Sequence, residues 1–187
     1  MPHVLITGGT GMLKDVPHYF TRHGYTVSVI ARNPEGLNKL IEAKDQHGFI
    51  NPVKVDYSDN YLLEEKLKSA IDNYGKIETA VCWVHSTAPD ALGIIADVLN
   101  EQNIKLKFYH IVGCVNIEPD GQNKEFEIRI TKYDNIIYKK VILGFVIEDE
   151  ASRWLTDTEI SNGVIDAVIN EDNVYVVGKI EPRDQLP

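Results

Sequence analysis

The residue types best suited to chemistry sit at the ends of short apolar stretches. His3–Thr7 runs straight into Gly8-Gly9-Thr10-Gly11-Met12-Leu13. Glycine tolerates a tight turn and lets backbone come close to a ligand, so the amides that follow can meet a diphosphate. Arg32 and Asn33 follow the alternating stretch Tyr25–Ala31. An arginine there suits a 2′-phosphate through a charge-assisted fork, where an acid would suit free ribose hydroxyls. Asp56 and Tyr57 close a third stretch, where a carboxylate can accept from the exocyclic amine of an adenine, and Val84 and His85 close a fourth. These positions together outline a dinucleotide site, with Arg32 pointing to NADP ahead of NAD. Each also has a plainer reading: Arg32 as a solvated charge at a strand end, Asp56 as a turn or helix-entry residue.

Groups able to move a proton are few. His85 exchanges protons near pH 7 and should reach the same crevice as Ser86, Thr87 and Cys114. Either His85 or a hydroxyl nearby, such as that of Ser86, protonates a carbonyl oxygen during hydride transfer, or His85 caps the following helix or binds a ribose. Cys114 reads as a small buried residue or, less simply, a nucleophile. Lys14 stands where the glycine pattern expects its last glycine. Its stem lies along apolar surface with the head in water, or its ammonium reaches a cofactor phosphate. Pro17, comfortable only in a first helical turn, lets the helix begin late, leaving the amides of residues 11–14 as an anion-binding nest.

The elements that must position these groups follow from periodicity. Strands are expected at His3–Thr7, Tyr25–Ala31, Asn51–Tyr57, Glu78–Val84 and through "KLKFYHIVG". Helices are expected around Tyr19–His23, from Pro34 towards Gly48, after a cap at Ser58 or Asp59, and from near Pro89. That alternation predicts an α/β doubly wound, mostly parallel sheet of about seven strands with helices on both faces. Over 116–136 the order breaks. "EFEIRIT" alternates with period two, while Phe126, Ile130 and Tyr133 also fit a helical stripe. The expectation taken here is an irregular or extended segment that turns at "KYDN" and pairs with "YKKVILGFVIE". Thr156 and Glu159 then have capping-box spacing, and "VYVVGKI" closes the sheet.

Composition limits the partners. The 187 residues fit a single domain, 1–187, and a formal charge of −9 argues against nucleic acid. No apolar run approaches the ~18 residues of a membrane span, and no signal peptide is evident, so a soluble cytoplasmic protein is expected. The two cysteines, Cys82 and Cys114, have neither disulfide-framework nor metal-ligand spacing, so no metal is expected.

"TGGTGML", "VDYSD", "IVGCV" and the late "RWLTDTEISNGVIDAV" and "VYVVG" together resemble, in order and over nearly the whole chain, a small atypical branch of the short-chain dehydrogenase/reductase superfamily. The resemblance implies an NAD(P)-binding Rossmann fold, a small-molecule carbonyl substrate, and a homo-oligomer, dimer or tetramer. The family's serine position falls on Cys114. Its Tyr-x-x-x-Lys pair is missing: Tyr133 is followed at that spacing by Ile137, and Tyr138 by Ile142. Without the lysine a tyrosine titrating near ~10 is a poor base. Two functions stay open, an NADP-dependent oxidoreductase with a non-standard proton donor and a non-catalytic NADP(H)-binding sensor or assembly protein.

Overall fold

The computed structural model describes residues 1–42, 47–116, 123–149 and 151–187. Seven strands form one parallel sheet: β1 (His3–Thr7), β2 (Thr26–Ala31), β3 (Phe49–Lys54), β4 (Ile77–Cys82), β5 (Leu106–Gly113), β6 (Ile136–Leu143) and β9 (Val174–Val177). Their order across the sheet is β3-β2-β1-β4-β5-β6-β9, with every neighbouring pair parallel. From β1 the chain winds out to β3, then returns to the other side of β1 with β4. A ligand crevice opens where strand order reverses in this way, beyond the carboxyl ends of β1 and β4.

Helices cover both faces. α3 (Asn60–Tyr74), α4 (Ala91–Glu101) and α5 (Asn123–Ile130) bury Leu63, Leu67, Ile95, Leu99 and Phe126 against one face. α1 (Val16–Arg22), α2 (Pro34–Ile41) and α6 (Asp157–Asn170) bury Phe20, Leu37, Leu40 and Val164 against the other. Central strands covered on both sides must be apolar throughout, and β1 is buried at all of its positions. Caps lie where side-chain chemistry favours them. Asp59 Oδ1 accepts from Leu62 N at 3.0 Å, and Thr156 and Glu159 form the reciprocal capping box of α6.

One expectation fails. Residues 123–130 are not extended and do not pair with the following strand; they form α5, and β6 pairs instead with β5 and β9. Phe126 and Ile130 are buried, but Ile128, which period-two alternation would place beside them, is 53% exposed. Phe126 packs on Phe108 with ring centroids 5.6 Å apart. The residues expected to begin that segment, 117–122, lie outside those described, as do 43–46 beyond α2.

The long apolar run after Ile136 is also divided. Gly144 ends β6 because the backbone of Lys179 crosses it; a Cβ there would stand 2.0 Å from Lys179 O. Phe145 N and Lys179 N each donate to the other's carbonyl at 2.8 Å. The chain then makes an antiparallel hairpin of β7 (Phe145–Glu148) and β8 (Ala151–Trp154), pairing Phe145 with Trp154. No helix among the described residues is long and apolar enough to cross a membrane.

Candidate nucleotide site and the adjoining pocket

After β1 the chain coils tightly. Gly8 sits at φ +82, a conformation that favours glycine, and its carbonyl accepts from Gly11 N at 3.2 Å and Leu13 N at 3.3 Å. Lys14 N donates to Gly11 O at 3.0 Å. Among the described residues, the N–H groups of Thr10 and Met12 have no hydrogen-bond partner. Gly9 is buried: a Cβ there would lie 3.0 Å from both Pro17 Cγ and Val29 Cγ1. Lys14 is exposed. α1 starts only at Val16 and has seven residues, so the coil, not a helix end, supplies the polar backbone.

Two contacts that sequence reasoning missed hold this coil. Ser161 of α6 is fully buried; its hydroxyl donates to Met12 O at 3.0 Å and accepts from Asp15 N at 3.4 Å. Gly36, in the first turn of α2, approaches Thr10 so closely that a Cβ would stand 2.9 Å from Thr10 Cβ. A serine in "EISN" and a glycine in "NPEG" carry no pattern that marks either contact.

The tips of β2 and β3 meet beside the coil. Arg32 Nη1 lies 3.5 Å from Asp56 Oδ2, with the arginine side chain 70% exposed. Asp56 also accepts from Ser58 N at 3.0 Å and Ser58 Oγ at 2.8 Å. These Ser58 bonds first, and Arg32 after them, hold its carboxyl below the usual carboxylate range. Asn33 is used locally, its Oδ1 accepting from Glu35 N at 2.9 Å to cap α2.

Beyond β4, Thr7 Oγ1 donates to Trp83 O at 2.8 Å, and the Trp83 side chain lies against Gly8. Val84 and Tyr57 both pack against the apolar cluster on one face of the sheet, and the Tyr57 hydroxyl accepts from His85 N at 3.4 Å. His85 is exposed; its Nδ1 accepts from Thr87 N at 3.3 Å, which places the proton of the neutral ring on Nε2. Its local bonds are those of a turn-closing residue. Ser86 is exposed next to it.

Cys114 lies elsewhere in the crevice. It lines a cavity of about 190 Å³ with Met12, Trp83, Leu143, Trp154 and Ile160. Burial pushes its thiol pKa up, so it carries its proton at neutral pH. Neither His85 nor Ser86 lines that cavity. One wall is the hairpin, fastened by Arg153. Its guanidinium donates to Glu148 Oε1 at 2.7 Å, to Glu159 Oε2 at 2.9 Å and to Glu159 Oε1 at 3.0 Å, and also to Trp154 O at 3.2 Å.

The two tyrosines nearest the family's catalytic position serve packing. Tyr133 donates its hydroxyl to Asp97 of α4. Tyr138 is paired with His110 Nδ1 at 3.0 Å, and burial raises its phenol pKa further. The adjacent Lys139 is buried and caps the end of α6 through the carbonyl oxygens of Glu171 and Asp172.

No protein-family model matches the chain. Solved structures do. The bulky-bulky ketone specific alcohol dehydrogenase from Comamonas testosteroni aligns with a TM-score of 0.70 and 16% identity, covering 94% of this chain and 86% of that one. A mutant short-chain dehydrogenase/reductase from Serratia marcescens aligns with a TM-score of 0.71 and 13% identity, covering 95% and 96%. An alcohol dehydrogenase from the archaeon Thermococcus sibiricus, complexed with 5-hydroxy-NADP, aligns with a TM-score of 0.67 and 13% identity, covering 96% of each. The fold is that of short-chain dehydrogenase/reductase structures; at such identities the likeness is one of fold.

Proposed function

We propose that the chain is an NADP(H)-binding protein of short-chain dehydrogenase type that acts as an oxidoreductase on a small carbonyl compound. The observation that carries this reading is the Gly8–Leu13 coil at the strand-order reversal, with the exposed Arg32 guanidinium at the tip of the neighbouring strand. The residues fit the group. The unpaired amides of Thr10 and Met12 are available to a diphosphate, and the glycines keep side chains out of its way. Arg32 is held by one long surface ion pair, worth about 0–1 kcal/mol, and can leave Asp56 for a 2′-phosphate. Asp56, Tyr57 and Val84 border the adenosine half. When bound, the reduced nicotinamide supplies hydride to a carbonyl carbon. His85 carries a proton on Nε2 but lies outside the cavity that Cys114 lines, so it serves a carbonyl oxygen bound at the turn after β4 and not one inside that cavity.

A second reading, a non-catalytic NADP(H) sensor, is favoured by one observation: among the described residues, no acid–base side chain other than the protonated Cys114 lines the pocket. Thermal shift with NADPH, NADP, NADH and NAD tests the shared premise. Stabilisation of about 2.7 kcal/mol is expected for NADPH at a hundredfold excess over its Kd. Absence of a response to any of the four overturns both readings. NADPH consumption with carbonyl compounds that falls in His85→Ala supports the oxidoreductase; binding without turnover leaves the sensor.

A further inference from the structure

The glycine coil is built from turns of three residues with one interruption. Gly8 O accepts from Gly11 N at 3.2 Å, Gly11 O from Lys14 N at 3.0 Å and Leu13 O from Val16 N at 3.1 Å. Between Met12 O and Asp15 N, where the same spacing would place a direct bond, the Ser161 hydroxyl is inserted. It donates to Met12 O at 3.0 Å and accepts from Asp15 N at 3.4 Å. Two hydrogen bonds in series through an oxygen hold their ends farther apart than one bond of about 3 Å does. Ser161 lies inside α6, where a serine hydroxyl ordinarily bonds back to its own helix or turns to solvent. Here the side chain is fully buried and its hydroxyl is committed to a carbonyl 149 residues away in sequence.

The insertion falls beside an amide offered to the ligand. Among the described residues, Met12 carries one of the two coil N–H groups without a partner. A peptide unit is planar, so its N–H and C=O turn together. The unit before Met12 is fixed by Lys14 N on Gly11 O. The unit after it is fixed at both ends, by Leu13 N on Gly8 O and by Ser161 on Met12 O. Without the hydroxyl, Met12 O and Asp15 N lose their common partner. The turn then closes on itself or swings loose, and the Met12 amide changes direction in either case.

We propose that Ser161 is a positioning residue for the dinucleotide: from α6, and without touching the ligand, it holds the coil open so that the Met12 amide stays turned to the diphosphate. The role rests on the NADP(H) reading above but not on Arg32, because NADPH and NADH share the diphosphate.

The test measures NADPH and NADH affinity of the full chain by isothermal titration, at a temperature where circular dichroism shows each variant folded. Ser161→Ala is expected to weaken both nucleotides by the same factor, roughly tenfold, the scale of one lost hydrogen bond in the site. Ser161→Cys, close in size but a weaker donor, should lose less, and it carries the test if the alanine variant does not fold. Val164→Ala, three residues on in the same helix and equally buried, removes packing and no polar group. It should lower the unfolding temperature and leave both affinities within about twofold. In the ligand-free chain, the Asp15 amide should exchange with solvent faster in Ser161→Ala than in Val164→Ala. Unchanged affinity in the Ser161 variants, a loss confined to NADPH, or an equal loss in Val164→Ala overturns the proposal. If the unaltered chain binds neither nucleotide, the dinucleotide reading falls and this role with it. If it binds them and the Ser161 variants bind as tightly, the dinucleotide reading stands and the role alone falls.

Discussion

Gly9 and Pro17 bring coil, strand and helix into the close contact that the last glycine of the dinucleotide-binding pattern would make at position 14. That contact is made at Pro17, four residues after the coil ends, and position 14 faces solvent and tolerates a lysine. Gly9→Ala should therefore cost about 1–3 kcal/mol by overpacking, measured by urea unfolding. Lys14→Ala should leave both stability and NADPH affinity unchanged. A large loss of NADPH affinity in Lys14→Ala would return that side chain to the phosphate.

Arg32 meets Asp56 through one weak contact, so its removal should be felt by the ligand more than by the fold. Arg32→Ala should weaken NADPH roughly tenfold to a hundredfold, as expected for a lost charge-assisted hydrogen bond of about 1.5–3 kcal/mol, and leave NADH as it was. Isothermal titration with both nucleotides checks this. Equal losses for the two would remove the 2′-phosphate role.

Glu159 joins Arg153 to the capping box, and its carboxyl is held at about 2, below its ordinary 4.5, by Arg153 first and Thr156 second. A lowered carboxylate contributes stability that is fully present above pH 4.5 and is lost as pH falls towards 2. Glu159→Gln should flatten that part of the stability–pH curve and, at pH 7, shift Trp154 emission to the red as the hairpin loosens. A curve of unchanged slope between pH 4.5 and 2 would show that the clamp contributes nothing.

His110 acts in the same direction for the opposite reason, because the fold favours its neutral form. Burial first, and Lys140 after it, lower its pKa to about 3 from 6.5. The folded chain keeps it neutral while the unfolded chain takes up a proton, so stability falls as pH drops from 6.5 towards 3. His110→Gln should reduce that slope, read as Tm against pH.

Much of the fold is legible because local chemistry and tertiary contacts agree. Thr156 with Glu159 and Asp59 with Leu62 are short-range devices, and the buried strands are apolar on both faces. α5 is not legible, because Phe126 and Ile130 satisfy both periodicities. What decides between them is Phe108 and Asp97, which lie on β5 and α4. The hairpin is hidden in an apolar run that only the crossing of Lys179 over Gly144 divides. The tight glycine turn after β1 is legible from its spacing, whereas Cys114 and His85, expected together, are parted: one lines the cavity and the other closes an exposed turn.

Helix α5 can be told from an extended segment by two substitutions. Phe126→Ala should cost about 3–5 kcal/mol, while Ile128→Asp should stay within about 0.5 kcal/mol. Comparable large losses at both positions in chemical denaturation would restore the extended segment.

The buried Ser161 hydroxyl has a reach beyond its two bonds. It rivets α6 to the coil, and two residues earlier on the same helix Glu159 grips Arg153 of the hairpin. Coil, helix and hairpin are thus tied into one bracket. If the coil holds a nucleotide as proposed, the contacts through Ser161 and Glu159 join that site to the hairpin, and any coupling between the two would be reciprocal.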